Sequence, residues 1–130
     1  MQIGEVAQRV GLSLRTIRYY EEMGLVVPSA RSAGGFRLYT EKDVARLALI
    51  KRMKPLDFSL DESRDLLSVL DALEDPAEPG KAALVERLEL FHEAARARVV
   101  AVEEQLAVAE GFADDLRREL QRQQRAARAD

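Results

Sequence analysis

The chain has 130 residues, a formal net charge of −3 and no cysteine. Without cysteine it cannot form disulfides, thiolate metal sites, iron–sulfur clusters or a cysteine nucleophile. Residues 1–57 hold ten Lys and Arg against six Asp and Glu, whereas residues 58–130 hold ten against seventeen. This asymmetry indicates a nucleic-acid partner for the first half alone. Because no secretory signal and no bilayer-spanning apolar run is visible, we expect a cytoplasmic protein.

The first two elements have the spacing of a helix-turn-helix. The pattern predicts helices over residues 3–10 and 14–23, joined by a short turn. Ala7 leaves room where the helices cross, and Gly11 accepts the positive φ that the turn needs. Ile17 is expected to anchor the second helix inward. The outward side then carries cations, as does a helix that enters a groove of DNA.

Arg15 and Arg18 share the outward face of the second predicted helix. An arginine there can bridge a guanine edge or grip phosphates. The alternative is a solvated face on which these arginines pair with Glu21 or Glu22. The helix-turn-helix spacing around them favours the DNA-binding interpretation.

Capping signals and two adjacent tyrosines complete this helix. Ser13 is its predicted N-cap, Gly24 is predicted to end it, and Leu14 is predicted to face inward. Tyr20 follows the inward anchor by three residues and is predicted to lie in the core. Tyr19 is then turned away from the core, and its hydroxyl is a predicted phosphate contact.

Residues 28–35 contain Pro, Ser and two Gly and are predicted to form a loop. The Gly pair followed by Phe-Arg-Leu-Tyr at residues 36–39 predicts a small hairpin, a wing beside the helix-turn-helix. Arg31, Arg37 and the loop between them place cations and backbone N–H groups beside a phosphate strand. The alternative is an ordinary flexible surface loop.

Two further helices are predicted before a linker. Thr40 caps one that starts at Glu41 and is broken at Pro55, and a capping box of Ser59 and Glu62 starts the next. Their apolar stripes are Val44, Leu47, Ala48 and Ile50 in the third helix and Leu66, Leu67, Val69, Leu70 and Leu73 in the fourth. Three cations close the third helix and either contact phosphates or complement the helix dipole: Lys51, Arg52 and Lys54.

After a Pro-rich linker over residues 74–80, residues 81–124 are predicted to form one helix, and residues 125–130 a frayed tail. A helix of about 40 residues is about 60 Å long. Apolar residues recur in steps of three and four, which is a heptad seam with one stutter. Because the chain holds no second helix of that length, we predict a coiled-coil homodimer. The dimerisation seam is Leu84, Leu88, Phe91, Ala95, Val99, Val102, Leu106, Ala109, Ala113, Leu116 and Leu120.

No cofactor, metal site or enzymatic activity is expected. His92 is the only histidine, and one histidine without cysteine does not make a zinc or haem site. No Gly-rich phosphate loop, nucleophile elbow or Ser/His/Asp set is present.

Four blocks resemble, in order and spacing, the MerR family of bacterial transcription regulators across residues 1–73. Ile-Gly-Glu-Val-Ala at residues 3–7 resembles the family's first helix, and Thr-Ile-Arg-Tyr-Tyr-Glu at residues 16–21 its most recognisable segment. Residues 35–39 resemble the wing, and residues 57–62 the start of the fourth helix. The resemblance implies a mainly α-helical fold, with a winged helix-turn-helix domain, an accessory helix pair and an antiparallel coiled-coil dimer.

The resemblance also implies site residues and a mechanism. Base-edge contacts come from Arg15, Thr16 and Arg18. Phosphate contacts come from Ser13, Tyr19, Arg31, Phe36 through its backbone, Arg37, Tyr39 and Lys54. Such dimers bind a near-palindromic operator between promoter elements and bend and untwist the spacer, with RNA polymerase as a further partner. A nucleoid-associated cytoplasmic location follows.

The chain departs from the family pattern in several places. It lacks the cysteine ligands of metal and redox sensors, we expect no C-terminal effector-binding domain, and the effector is unknown. Asp57 stands where the family has Gly, and Asp accepts the left-handed conformation less readily. Two other functions remain open. One is an architectural or excisionase-like DNA-binding protein without promoter regulation, and the other is a coiled-coil protein whose winged module docks a protein.

Overall fold

The computed structural model describes residues 1–28 and 30–129 and is mainly α-helical, as predicted. Ser29 in the predicted loop and Asp130 in the predicted tail lie outside the described residues. The helices are α1 (Ile3–Val10), α2 (Leu14–Glu22), α3 (Glu41–Met53), α4 (Leu60–Glu74) and α5 (Lys81–Ala129), with a 3₁₀ turn at Lys54–Leu56. Strands β1 (Ala30–Arg31) and β2 (Arg37–Leu38) pair antiparallel. The chain divides into two compact units, Met1–Glu89 and the residues from Leu90 onward.

Side-chain caps start α2, α3 and α4, which confirms the three predicted caps. The Ser13 hydroxyl accepts the backbone N–H of Thr16 at 3.1 Å. Thr40 and Ser59 each form a reciprocal capping box with the acidic residue three positions later. Gly24 has a φ of 75° just beyond α2, which is the conformation that a helix-ending glycine supplies.

The core of the first unit forms where α1, α2, α3 and α4 meet. Val6, Ile17 and Leu47 are 0% exposed, and Tyr20 is 3% exposed. The prediction that Leu14 faces inward is wrong, because this side chain is 41% exposed. Leu14 is the first residue of α2, one turn before Ile17, and the core cluster of described residues does not extend to that turn.

The predicted break at Pro55 is a change from the α-helix to a tighter 3₁₀ turn. α3 passes directly into the 3₁₀ turn, which ends at Asp57 with φ 63° and ψ 25°. Asp57 therefore adopts the left-handed conformation, at the position where the MerR pattern has glycine, so the departure from that pattern keeps this backbone geometry. Its backbone N–H donates to the carbonyl of Lys54 at 3.1 Å, and α4 starts three residues later.

Three cationic side chains tie distant elements of the first unit together. Lys51 Nζ donates to the carbonyl of Val10 at 2.8 Å, so this lysine caps the end of α1. Arg46 donates to the carbonyl of Leu25 and, through Nη1, to Asp71 on α4 at 2.6 Å. Arg9 on α1 makes a two-pronged contact with Glu41 on α3. Lys51 is thus engaged within the fold, and the phosphate-contact alternative does not apply to it in this arrangement.

α5 is longer than the sequence predicted. Its helix continues through residues 125–129, where we expected fraying, because Arg, Gln and Ala are strong helix formers. Hydrogen bonds from Arg122 and Gln123 support this end and lower the pKa of Glu119 to about 2. Glu74 belongs to α4, so the connection between α4 and α5 spans residues 75–80.

The dimerisation seam is increasingly exposed along α5. Leu84, Leu88, Phe91, Ala95 and Val99 are half-buried, and all later seam positions are exposed. Leu106 and Leu120 are 55% and 58% exposed. None of the described helices is long and apolar enough to cross a lipid bilayer. Within residues 1–28 and 30–129, no group of three or more His, Asp or Glu is placed to hold a metal ion.

Candidate nucleic-acid interface

The outward face of α2, called here the recognition helix, carries two unengaged arginines. Arg15 and Arg18 are exposed and make no hydrogen bond or ion pair with any described residue. The alternative in which they pair with Glu21 does not hold, because that carboxylate is bound by other donors. The two guanidinium groups are therefore available to an external acceptor.

The two adjacent tyrosines divide between core and surface as predicted. Tyr20 is 3% exposed, and burial raises the pKa of its hydroxyl. Tyr19 is 44% exposed, with its ring centroid 6.0 Å from that of Tyr20. Tyr19 thus rests on a buried ring while its own ring stays at the surface. Its contact with phosphate remains a prediction.

Two hollows collect eight of the ten predicted DNA contacts. Arg15, Thr16, Tyr19 and Lys54 line the larger, of about 480 Å³, between the recognition helix and the start of α4. Its apolar lining is Tyr20, Ile50, Phe58 and Leu60. Arg18, Arg31, Phe36 and Arg37 line the smaller, of about 140 Å³, together with Gln2 and Ile3 beside the start of α1. The two hollows therefore bring cations of the hairpin and of the end of α3 next to the cations of the recognition helix.

The hairpin of residues 30–38, called here the wing, opposes two like charges. Arg31 on β1 pairs directly with Arg37 on β2, an arrangement that destabilises a ladder unless the charges are compensated. Arg31 donates to the carbonyl of Gly35 at 3.1 Å, which partly compensates its charge. Arg37 is compensated by the carboxylate of Glu21, 2.7 Å from its Nε, so the wing keeps both cations at one edge, where they can meet a polyanionic partner.

Two predicted wing contacts have other partners in the structure. The backbone N–H of Phe36 donates to Ser32 Oγ at 3.2 Å, so it is already engaged. The Tyr39 side chain is 2% exposed, and its hydroxyl donates to Glu21 Oε2 at 2.9 Å. Burial and then this hydrogen bond raise the pKa of Tyr39 to about 12. Tyr39 therefore supports the wing from inside and does not present its hydroxyl at the surface.

Glu21 is the site residue that sequence reasoning assigned to the wrong partners. Its carboxylate binds Arg37 Nε at 2.7 Å as well as the Tyr39 hydroxyl. Arg37 is 16 positions away and Tyr39 18, so neither helical nor strand periodicity could indicate these pairs. The only signal was the position of Glu21 within the block that resembles the second helix of the MerR family.

This geometry defines a winged helix-turn-helix module. The model of the MerR HTH family of regulatory proteins matches residues 1–70. The chain is 49% identical over 69 residues to an uncharacterized HTH-type transcriptional regulator of Pseudomonas aeruginosa, covering 53% of this chain and 52% of that protein. It is 40% identical over 89 residues to the HTH-type transcriptional regulator ZntR of Escherichia coli K12, covering 68% and 63%.

A solved structure shares the fold over most of the chain. HiNmlR, described as a MerR family regulator lacking the sensor domain and bound to promoter DNA, matches with a TM-score of 0.64 at 20% identity. The match covers 82% of this chain and 77% of HiNmlR. The chain belongs to the MerR family, as its motifs predict. The chain spans about half the length of the Pseudomonas relative and 63% of the length of ZntR, and both are transcription regulators rather than enzymes.

Proposed function

We propose that this chain is a sequence-specific DNA-binding transcription regulator that acts as a homodimer on a near-palindromic promoter operator. The observation that carries the proposal is the pair of arginines, Arg15 and Arg18, on the exposed face of the recognition helix. Neither is bound by a described residue, so contact with a base edge or a phosphate costs no internal ion pair. The cations of the wing and Lys54 extend this surface on either side.

The exposed seam of α5 supports the homodimer. Val102, Leu106, Leu116 and Leu120 are 47%, 55%, 54% and 58% exposed, which is costly for a lone helix in water. A second copy buries the same seam by knobs-into-holes packing. Antiparallel pairing relates the two copies by a two-fold axis, and a two-fold protein matches a near-palindromic operator.

The promoter mechanism follows from family membership. A dimer that binds bent and untwisted DNA better than straight DNA supplies the energy of deformation from that difference in binding. Alignment of the two promoter elements then allows RNA polymerase to engage both. In this proposal the regulator works in the cytoplasm on the nucleoid, and the residues from 81 onward serve dimerisation.

The test starts with selection of bound fragments from the source genome, followed by competition against scrambled DNA. We expect Arg18→Ala to reduce operator preference by about 5- to 150-fold, since a good base contact discriminates by about 1–3 kcal/mol. Arg9→Ala is the matched control, because Arg9 is bound by Glu41 on another face and the preference should not change. Unchanged discrimination in Arg18→Ala contradicts the assigned reading face.

Two further measurements complete the test. The solution mass should be twice the 14.6 kDa of one chain at micromolar concentration, and a single-chain mass contradicts the dimer. Transcription from a promoter that carries the selected site should change when the protein is added. Specific binding without any such change replaces the regulator with an architectural DNA-binding protein.

A further inference from the structure

We propose that Glu21 is a positioning residue that fixes the wing relative to the recognition helix and thereby sets operator specificity. This inference rests on the proposed function and deepens it. Glu21 lies in the last turn of α2, with its side chain 15% exposed. It lines neither of the two hollows that hold the predicted DNA contacts, so its effect on DNA passes through the residues that it holds.

The two oxygens of Glu21 bind two different donors of the same strand region. Oε1 accepts Arg37 Nε at 2.7 Å, and Oε2 accepts the Tyr39 hydroxyl at 2.9 Å. Arg37 lies in β2 and Tyr39 directly follows the strand, so the two side chains reach the same carboxylate from one short stretch of chain. Two contacts at different points fix both the distance and the orientation of β2 against α2. A single contact leaves rotation about that contact free.

Tyr39 is fixed from its backbone as well. Its N–H donates to the carbonyl of Met1 at 2.7 Å, and the amino group of Met1 donates to the carbonyl of Tyr39 at 3.0 Å. The side chain is 2% exposed within the core. Tyr39 is thus held by its backbone and by burial, and its hydroxyl fixes the carboxylate of Glu21. Glu21 in turn fixes Arg37 through Nε.

The geometry at Arg37 leaves the useful part of its guanidinium group free. Only Nε is bound, and no described residue accepts a hydrogen bond from either Nη. The two Nη groups carry four N–H donors for a phosphate. Glu21 thus binds the guanidinium group of Arg37 through Nε and leaves both Nη groups available to a phosphate. The same contact compensates one of the two like charges opposed in the wing.

Charge alone makes the opposite prediction. A carboxylate beside a polyanion weakens binding to every DNA sequence, so its neutralisation strengthens binding to every sequence. A positioning role instead predicts that neutralisation lowers the preference for the operator, because a phosphate contact from a fixed wing sets the register in which the recognition helix meets the base edges. The two roles therefore separate when affinities for operator and scrambled DNA are measured together.

The experiment compares Glu21→Gln with Glu22→Gln in the full chain. Glu22 is the matched control, because it is the next residue of α2, is exposed and binds no described residue. We expect Glu21→Gln to lower the operator-to-scrambled ratio about tenfold, since the amide can keep the two contacts only as weaker hydrogen bonds without the charge of the carboxylate. Its affinity for scrambled DNA should stay equal or rise. Glu22→Gln should strengthen both affinities and keep the wild-type ratio.

The outcomes distinguish this inference from the proposed function. A wild-type protein without operator preference contradicts the proposed function. A wild-type protein with preference, and a ratio in Glu21→Gln equal to that of Glu22→Gln, overturns the positioning role. Far-UV circular dichroism and solution mass check that the variants remain folded and keep the wild-type assembly.

Tyr39→Phe is the second variant, and it keeps the ring while removing one donor. We expect a smaller fall in the ratio than Glu21→Gln gives, and a double variant no worse than Glu21→Gln alone, because both act through one carboxylate. Additive effects overturn the inference. If Glu21→Gln fails to fold, Tyr39→Phe decides alone, and a wild-type ratio then overturns the inference.

Discussion

The two compact units of this chain use apolar side chains in opposite ways. In the first, Val6, Ile17 and Leu47 are 0% exposed in a core that the unit builds by itself. In the second, Leu106 and Leu120 are more than half exposed, although they recur as regularly as any core stripe. The comparison teaches that periodicity predicts which face needs burial, but not whether the same chain supplies the cover.

Their polar contacts differ in the same way. The first unit is tied by contacts between elements far apart in sequence, such as that from Arg46 to Asp71. Among the described residues of the second unit, the ion pairs join positions three apart, as Arg118 and Asp115 do. Local pairs of this kind add only a few tenths of a kcal/mol to a helix. Contacts within the second unit therefore do not cover its apolar seam, which is the surface that the proposed second copy buries.

The aromatic residues allow the two units to be followed separately. Tyr19, Tyr20 and Tyr39 are the three tyrosines of the chain, all lie in the first unit, and there is no tryptophan. Tyrosine fluorescence thus reports on the first unit. Far-UV circular dichroism reports on both units, because α5 has 49 helical residues, about as many as α1, α2, α3 and α4 together. A change in circular dichroism that tyrosine fluorescence does not follow therefore belongs to α5.

The largest predicted effect breaks the core of the first unit. Ile17→Ala removes a fully buried side chain and should cost about 3 kcal/mol of unfolding free energy. Urea denaturation followed by tyrosine fluorescence measures this loss, which should not depend on protein concentration. A loss below about 1 kcal/mol contradicts the assigned core position.

Leu106→Ala is the matched change in the second unit. It should lower the melting temperature seen by circular dichroism most at low protein concentration, because its burial requires a second copy. An effect independent of concentration contradicts the dimerisation seam. The tyrosine signal serves as the internal control for the first unit.

The next effect compares two glycines with the same backbone. Gly11 and Gly24 both have a φ of 75°, but a Cβ on Gly11 meets Lys51 Nζ at 2.7 Å, whereas at Gly24 nothing lies within 4 Å. Gly24→Ala should cost about 1 kcal/mol for the left-handed backbone alone. Gly11→Ala should cost about 2 kcal/mol, because the Lys51 cap on Val10 is displaced as well. Equal losses in urea denaturation contradict a structural role for Lys51.

The smallest effect concerns pH. The pKa of Tyr39 is about 12 in the folded state, so the folded protein binds this proton more tightly than the unfolded chain, whose tyrosine pKa is about 10. The resulting stability is present below about pH 10 and is lost as the pH rises towards 12. The stability difference between wild type and Tyr39→Phe should therefore shrink over this range. A constant difference contradicts the buried, hydrogen-bonded hydroxyl.

Local signals in the sequence predict most of this fold. The starts of three helices are predicted by the N-caps Ser13, Thr40 and Ser59. The burial of Tyr20 is predicted by its position three residues after Ile17. The errors occur where tertiary packing decides. Leu14 has the right periodicity, yet the helices that cover Ile17 do not cover it. In the alternative interpretation of the sequence, Glu21 pairs with Arg15 or Arg18 on its own helix. It binds Arg37 and Tyr39 instead, because the fold places the wing against the end of α2.

The exposed apolar seam of α5 also bears on how such a protein responds to its own abundance. If only the paired form grips an operator, the amount of competent species grows with the square of total chain in the dilute regime, so doubled synthesis gives about a fourfold rise. Occupancy of the operator then rises more steeply than in proportion to gene dosage. This steep response requires no small-molecule ligand.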